Sequence, residues 1–552
     1  MKQLHTNEGT NTLSNIQRIG GVFFTTRSVF FIAILLGVGA TIISYLYGSI
    51  TAYGDAESHL NIAKRVVDSI TPGFAQLGGI WLPLPHIFLM PFVYFDFLWR
   101  TGLAGSIVSG TAFVMAGVYI FKLVDLITHS RSASFLAALV FLTNPNVLYM
   151  QSTPMTELTL IAFFVLSTYY FARFIQEQTS ILYLLLAGFF GFCASLSRYD
   201  GWALVLVEAG VLFLIYFPYR LGWVRGLPRI LKKGTDSLRT RLARLEGRLI
   251  LFSTLAFFGI GIWLLWGFLI LGDPLYFTHS QFSAKSQQQS WFARGELPAY
   301  HHILTAVHYY FVTAAENVGT YLWGLALIGL GLFAFARKEV HPLYIILILL
   351  VPFLFNVATL YLGQSIIFIP SLTPASFEWH LFNVRYGVMM VPCVAFAIGY
   401  LYYRSHLLLK AVILGILVFQ LSLFGTGVLP VLAYEDGVYG LSSAVAKVPD
   451  AQNFIDREYD YGNLLVDDYA RTISIIRTPV PMKNVIYIGN KPYWDESLKE
   501  PEKYARWIVM QKDDILWKAI YDDPGVQARL YKYFNKVYTS EQILIFRRID
   551  GS

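Results

Sequence analysis

The first stretch whose residue types and spacing could support chemistry is YGDAESHLNIAKRVVDSITPGFAQLGGIWLPLPH, residues 53–86. It carries Asp55, Glu57, His59 and His86 directly after a long apolar run. Ionisable groups at a membrane are costly and usually mark function. A carboxylate such as Asp55 can act as a general base toward a hydroxyl within hydrogen-bond reach. Asp is also a favoured helix N-cap, so Asp55 has a structural interpretation that is compatible with the catalytic one.

The same stretch predicts an amphipathic helix from Ala56 to Ile70, which Thr71-Pro72-Gly73 ends. Its apolar residues recur at helical spacing and form one stripe: Leu60, Ala63, Val67 and Ile70. A helix of this kind lies along a membrane surface rather than crossing the membrane. If Asp55 and Glu57 are both helical, their side chains point about 200° apart and cannot share one task. If Asp55 instead precedes the helix in extended form, the two side chains lie on one side.

Further ionisable and aromatic residues fall in segments that the spans predicted below place on the same side as Asp55. They are Glu157, Arg198, Asp200, His279, Lys285, Glu378, Arg385 and Tyr386. Arg385 lies in WHLFNVRYG at the start of a predicted span. Its planar fork could bind a phosphate bidentately, although an Arg in this position can also be a simple interfacial anchor.

This mixture suits the movement of a sugar from a lipid phosphate to a hydroxyl or an amine. Phosphate is a good leaving group, so its departure needs charge stabilisation, which Arg supplies. The acceptor is a poor nucleophile and needs a carboxylate base. One base gives direct displacement with inversion. We predict Asp55 as this base and, as substrate-binding residues, Glu57, His59, His86, Glu157, Arg198, Asp200, Lys285, Arg385 and Tyr386.

The composition is that of a membrane protein, with 55% hydrophobic and 14% charged residues. Apolar runs recur at lengths near the ~20 residues that a spanning helix needs. About eleven spans are predicted, near 28–51, 102–126, 133–150, 155–175, 181–197, 202–219, 249–271, 318–336, 342–362, 388–403 and 411–432. The segment from Trp81 to Trp99 is apolar but rich in proline, and it favours a second interfacial or re-entrant element.

Charge predicts the orientation and the domains. Nine Lys or Arg against two acidic residues between positions 220 and 248 place that loop in the cytosol. An odd number of spans then puts residues 53–86 and the C-terminus outside. We predict a cytosolic tail (1–27), a transmembrane domain (28–432) and an extracytoplasmic α/β domain (433–552). Cys193 and Cys393 fall in predicted spans and are expected to be buried free thiols.

The predicted α/β domain has recognisable elements. NLLVDDYA and KNVIYIG predict short buried strands, EPEKYARWIVM a helix that runs into a strand, and QILIFRR a last strand. Asp467-Asp468 follow a strand, which is a common ligand position in α/β sheets. A structural loop role is favoured because no glycine-rich phosphate loop accompanies them.

Several of these segments resemble the GT-C glycosyltransferases, in particular the protein O-mannosyltransferases and the lipid A aminoarabinose transferases. The resembling segments are the first outer loop with WLPLPH, TNPNVLYMQSTPMTE, ASLSRYDGW and FNVRYGVMMVP. The resemblance implies a polyprenyl-phosphate sugar donor, a large outer cavity and an inverting transfer. It makes Asp55 the catalytic carboxylate, and it places Arg385 at the phosphate of the donor. The mannosyltransferases have adjacent Asp-Glu here, whereas Ala56 separates the two acids in this chain, which disfavours a paired-carboxylate metal site.

Two other classes of protein are compatible with the sequence. A multi-pass transporter or flippase for a lipid-linked or anionic substrate would also have many spans and buried charges, but its charges are expected at mid-membrane. A scaffold whose outer domain binds cell-wall material would leave the charges of the first loop unexplained. As partners we predict the lipid donor, membrane lipids and a lipid, glycan or protein acceptor, with no nucleic acid and no required cofactor. The sequence does not identify the sugar.

Overall fold

The structure, a computed structural model, describes residues 24–216, 238–336, 342–445, 449–467 and 473–550. Helices fill the chain up to residue 458, and a small sheet follows. The predicted mainly α architecture with a C-terminal α/β region is confirmed. The cationic loop before residue 238, Asp468 and most of the predicted N-terminal tail lie outside the described residues.

The first apolar helix is followed by a group of short helices that covers residues 53–101. They are α1 (Thr26–Leu46), α2 (Gly54–Val67), a 3-10 turn (Phe74–Leu77), α3 (Leu84–Val93) and α4 (Asp96–Thr101). α2 is the predicted amphipathic helix. One interfacial or re-entrant element was predicted from Trp81 to Trp99. The structure has two short helices there, α3 and α4.

Six helices follow and form the most buried part of the bundle. They are α5 (Leu103–Thr128), α6 (Arg131–Leu142), α7 (Pro145–Met150), α8 (Glu157–Gln176), α9 (Ile181–Ser195) and α10 (Asp200–Tyr216). α8 packs between α5 and α9 and is buried on nearly all sides. Pro145 separates α6 from α7, so the predicted span 133–150 is broken.

The remaining membrane helices include three bent pairs. They are α11 (Leu238–Ala256), α12 (Phe258–Leu271), α13 (Tyr276–His279), α14 (Ala284–Gln287), α15 (Gln289–Ala293), α16 (Ile303–Val318), α17 (Thr320–Ala334), α18 (Pro342–Leu349), α19 (Val351–Tyr361), a 3-10 segment (Val384–Met390), α20 (Val391–Arg404) and α21 (Leu407–Gly425). By length and composition, the described residues contain five candidate spans, or eight if each bent pair is one span. The predicted count of eleven is not confirmed.

The C-terminal region is a five-stranded mixed sheet with short helices. Its elements are α22 (Leu432–Val445), α23 (Pro449–Glu458), β1 (Leu464–Val466), β2 (Val485–Ile486), α24 (Tyr493–Ser497), α25 (Pro501–Tyr504), β3 (Trp507–Gln511), α26 (Pro524–Tyr533), β4 (Phe534–Thr539) and β5 (Ile543–Arg548). Single 3-10 turns span Ile475–Arg477 and Met482–Asn484, and a π-helical turn spans Trp517–Tyr521. The strand order is β2-β1-β3-β5-β4, with β1 parallel to both neighbours and β5 antiparallel to β3 and β4. All four predicted strands are present, and β4 is additional.

The apolar stripe of α2 is covered by protein. Leu60 and Ala63 are fully buried in one hydrophobic cluster with residues of the C-terminal sheet, among them Leu464, Val466 and Trp507. The prediction that this helix lies with its stripe on the membrane surface is therefore wrong. An apolar stripe requires only an apolar neighbour, and here α3, Trp99 and the C-terminal region supply it together.

The orientation of the chain stays a prediction, and cysteine labelling tests it. Both natural cysteines are buried, so the background reactivity is low. Thr179→Cys in the exposed α8–α9 loop should resist a membrane-impermeant maleimide in intact cells, and Glu541→Cys in the exposed β4–β5 turn should react. Permeabilised cells are the control, in which both sites should react. Labelling of both sites in intact cells would contradict the predicted topology.

Candidate active site

A buried arginine, Arg385, joins three elements that are distant in sequence. Its Nη2 lies 2.7 Å from Oδ2 of Asp55 on α2, and its Nε lies 3.2 Å from Oε1 of Glu157 on α8. Its Nη1 lies 3.9 Å from Oδ2 of Asp436 on α22. Hydrogen bonds and ion pairs with charged groups are the strong ones, so this guanidinium holds α2, α8 and α22 together.

The local sequence FNVRYG explains how Arg385 reaches this position. Asn383 takes a left-handed conformation, with φ of 57°, and its amide donates to Ile366 O over 3.1 Å. Asn tolerates this conformation better than most residues. Gly387 packs so closely on α16 that a Cβ there would lie 2.4 Å from Thr313 O. The turn at Asn383 and the contact at Gly387 therefore fix the 3-10 segment that carries Arg385.

A second arginine shares a carboxylate with the first. Arg198, between α9 and α10, places Nη1 3.0 Å from Oε1 of Glu157 and Nε 3.4 Å from Oδ2 of Asp200. It also donates to Thr156 Oγ1 over 3.2 Å. Burial alone would lower the pKa of Arg198, but Glu157 and Asp200 together raise it above its ordinary value. The guanidinium therefore stays charged.

Two tyrosine rings cover the arginines. The guanidinium carbon of Arg385 lies 4.8 Å from the ring centroid of Tyr53 and 5.2 Å from that of Tyr386. The Arg198 guanidinium lies 5.1 Å from the Tyr386 ring. Such cation–π contacts stabilise a partly desolvated cation. Tyr386 was predicted at this site, whereas Tyr53 was not.

Asp55 is not the N-cap of α2. The cap residue is Tyr53, without a side-chain capping bond, and Asp55 lies in the first helical turn. The structural alternative considered for Asp55 is therefore wrong, and its carboxylate oxygen Oδ2 faces Arg385. A negative charge in a first turn is also favoured by the helix dipole.

His59 and His86 form a buried pair beside this cluster. His86 Nδ1 lies 3.1 Å from the carbonyl oxygen of Leu82, and its Nε2 lies 2.9 Å from His59 Nδ1. A carbonyl can only accept, so Nδ1 of His86 carries a proton, and neutral His86 accepts from Nδ1–H of His59. Burial lowers the pKa of His59 to about 4, although Asp55 raises it in part. His59 is therefore a neutral imidazole whose Nε2 can accept a hydrogen bond.

Asp436 and Tyr53 belong to the site and were missed. Asp436 is buried, and the Tyr53 hydroxyl lies 3.4 Å from its Oδ2 and also donates to Ala433 O. The sequence signal available for Asp436 was its place a few residues after the last predicted span. Within the described residues, no three His, Cys, Asp or Glu side chains are grouped as ligands for a metal ion.

Two predicted binding residues point elsewhere. Glu57 accepts from Ser474 Oγ over 2.7 Å and from Ile476 N over 3.4 Å, both in the C-terminal region. Both acids are helical, so Glu57 lies about 200° around α2 from Asp55, which is the geometry that separates their tasks. Lys285 is exposed on α14, and no described contact links it to Arg385. The structure does not bring either residue into the cluster.

Removal of the shared carboxylate should destabilise the fold. Glu157 is fully buried, and its Oε2 has no hydrogen-bond partner among the described residues. Glu157→Gln removes the common counter-charge of two arginines and places an unpartnered amide nitrogen there. We expect a loss of about 3–5 kcal/mol in the free energy of unfolding. The measurement is a denaturing-detergent titration followed by the reactivity of the buried thiols Cys193 and Cys393.

The matched control is Glu378→Gln. Glu378 pairs with Arg294 over 2.8 Å but is 56% exposed, and such surface pairs contribute about 0–1 kcal/mol. Equal unfolding midpoints for the two variants would contradict a structural role for the buried cluster.

The fold of this chain and one segment of its sequence are similar to those of known proteins. Residues 98–229, which include Glu157, Arg198 and Asp200, match the family model of dolichyl-phosphate-mannose-protein mannosyltransferases. A search of curated protein sequences finds no match. ArnT from Cupriavidus metallidurans bound to undecaprenyl phosphate aligns with a TM-score of 0.53 at 11% identity, over 94% of this chain and 98% of that chain.

Two further solved structures align less closely. ArnT from the same organism in the apo state gives a TM-score of 0.49 at 13% identity, over 94% of this chain and 98% of that chain. The apo oligosaccharyltransferase of Archaeoglobus fulgidus gives 0.43 at 12% identity, over 96% and 75%. The predicted GT-C fold is confirmed, and the chain resembles the GT-C membrane glycosyltransferases in fold and in residues 98–229.

Proposed function

We propose that this protein transfers a sugar from a polyprenyl-phosphate donor to an acceptor at the outer face of the membrane, with inversion. Asp55 is the base, and Arg385 binds the donor phosphate. The observation that carries this proposal is the 2.7 Å ion pair between these two side chains, in a chain with the fold of a protein solved with undecaprenyl phosphate. The residues proposed for the two halves of one reaction are in direct contact.

The ion pair suggests how donor binding prepares the base. Glu157 holds Nε of Arg385 and is itself fixed by Arg198, so the edge formed by Nη1 and Nη2 is the one left for a phosphate. A phosphate on this edge displaces the Asp55 carboxylate from Nη2. Asp55 is 29% exposed, so water can solvate the displaced carboxylate until it accepts the proton of the acceptor hydroxyl and becomes neutral.

Arg385 then stabilises the charge that grows on the phosphate as the sugar–phosphate bond breaks. A preorganised donor aimed at developing charge lowers the barrier most where water is excluded. Tyr53 and Tyr386 cover the guanidinium and provide such a site. Neutral His59 offers an acceptor for a substrate hydroxyl one helical turn from Asp55, and Asp200 holds Arg198 in place.

The test offers purified protein a panel of polyprenyl-phosphate sugars with lipid, glycan and peptide acceptors. One donor should be consumed, with release of polyprenyl phosphate and an inverted product. Asp55→Asn should lower turnover by about 10²–10⁴-fold, because a general base contributes that much, while donor binding changes little. Asp495→Asn, at an exposed carboxylate of the C-terminal domain, is the matched control.

No consumption of any donor, together with uptake of a lipid-linked substrate into the opposite leaflet, would favour a transporter or flippase. Near-normal turnover of well-expressed Asp55→Asn would show that another carboxylate is the base.

Arg385→Lys should weaken both donor binding and turnover although the charge is kept. A single ammonium cannot hold Glu157 and a phosphate at once, and it cannot orient the phosphate with two parallel bonds. kcat/KM should fall roughly tenfold to a hundredfold, which corresponds to a loss of about 1.5–3 kcal/mol of transition-state stabilisation. Arg294→Lys, at an exposed ion pair, is the control and should be near wild type. Wild-type kinetics of Arg385→Lys would make Arg385 a structural residue only.

A further inference from the structure

Asp436 occupies a position that the proposed reaction does not use. It lies on α22, which connects the last candidate span to the C-terminal sheet, and it is 4% exposed. Its Oδ2 lies 3.9 Å from Arg385 Nη1 and 3.4 Å from the hydroxyl of Tyr53. The distance to Nη1 is that of an ion pair without a good hydrogen bond. Asp436 therefore pairs with Nη1 of Arg385, and Asp55 pairs with the adjacent Nη2.

The cluster has more negative than positive charge. Two guanidinium groups, Arg198 and Arg385, meet four carboxylates, namely Asp55, Glu157, Asp200 and Asp436. With every group ionised the described cluster has a net charge of −2. A lipid phosphate adds at least one more negative charge at Arg385. A buried site of this kind resists a further anion unless one carboxylate leaves or is neutralised.

Of the two carboxylates on the Nη1–Nη2 edge, Asp436 is the one that a proton neutralises most easily. Asp55 is 29% exposed and keeps water as a solvent when a ligand displaces it, whereas Asp436 is almost fully buried. Among the described residues, the cation that Asp436 pairs with is Arg385, and loss of this pairing leaves Asp436 as an uncompensated buried charge. Such groups bind a proton rather than remain ionised.

We propose that Asp436 is an internal competitor of the donor phosphate, which neutralises Arg385 in the empty site and takes up one proton when the phosphate binds. The proposal rests on the proposed function, because it assumes a lipid phosphate at Arg385. The proton comes from water and forms an O–H bond on the displaced carboxylate. It returns to water when the phosphate product leaves and Asp436 pairs with Arg385 again.

The surroundings of Asp436 agree with this role. Burial, with a smaller contribution from Asp55, raises the pKa of Asp436 to about 6, although the guanidinium and the backbone N–H of Arg385 and the Tyr53 hydroxyl all act to lower it. The Tyr149 phenol also faces this carboxylate. At neutral pH the empty site therefore holds an ionised Asp436. A phosphate on Arg385 removes the main lowering influence, so the pKa is higher in the loaded site.

This shift fixes the sign of the pH dependence. When a group has a higher pKa in the loaded site than in the empty site, the affinity for the ligand is greatest at pH values below the pKa of the empty site. The affinity for phosphate then falls by about tenfold for each pH unit between about 6 and the pKa of the loaded site. Proton uptake and affinity are two readouts of the same event.

The experiment measures binding of undecaprenyl phosphate to the full chain in detergent between pH 5.5 and pH 8. Asp436→Asn keeps the shape of the side chain but needs no proton. It should bind like wild type at pH 5.5 and about tenfold or more tightly at pH 8. The ligand's own ionisation is common to both proteins and cancels in the comparison. Glu435→Gln, at the exposed neighbouring carboxyl of α22, is the matched control and should keep the wild-type slope.

Calorimetry in buffers of different ionisation enthalpy supplies a second readout, in which the ligand's own ionisation again cancels between the two proteins. At pH 7.5 wild type should take up close to one proton more per ligand bound than Asp436→Asn does. Equal proton uptake, or equal pH slopes, in wild type and Asp436→Asn would overturn the proposal and leave the proposed function standing. No binding of undecaprenyl phosphate to wild type at any pH would instead overturn the proposed function, and this proposal with it.

Discussion

The structure depends on the pairing of one buried cation, Arg385, with carboxylates from α2, α8 and α22. A buried guanidinium must be paired, because an uncompensated charge in a low-dielectric interior costs several kcal/mol. The pairing therefore couples three parts of the chain that are separated by up to 381 positions, from Asp55 to Asp436. The amphipathic helix α2, the buried helix α8 and the connecting helix α22 can therefore take their observed places only together.

The excess of carboxylates gives the same cluster its capacity to change. A site that held equal numbers of cations and anions would be satisfied when empty and would gain little from another anion. Here each guanidinium is contacted by more than one carboxylate, and Glu157 is shared by both. Glu157 is fully buried between the two guanidinium groups, whereas Asp55 is 29% exposed and Asp436 lies 3.9 Å from Nη1, beyond hydrogen-bond distance. The network is thus tightest at Glu157 and looser at the Nη1–Nη2 edge of Arg385.

The members of this ion-pair cluster were easier to predict from the sequence than the residues that pack around α2. Asp55, Glu157, Arg198, Asp200 and Arg385 could be found because each is an ionisable residue at the end of an apolar run on one side of the predicted membrane. Convergence then follows from topology alone. Asp436 was a weaker candidate, because it follows the last predicted span by a few residues but stands after Ala433, where charges become common. The cover of the α2 stripe was beyond sequence reasoning, since Leu60 shares its hydrophobic cluster with Leu464 and Trp507, which follow some 400 positions later.

α2 therefore serves two parts of the molecule at once. Asp55 contacts Arg385 from one side, Glu57 accepts from Ser474 on the other, and Leu60 and Ala63 enter the core of the sheet domain. A helix fixed on so many sides cannot shift Asp55 without disturbing the domain, and the domain cannot leave without exposing an apolar stripe. The C-terminal region is consequently connected to the candidate active site through α2, even though no side chain of its strands contacts Arg385 among the described residues.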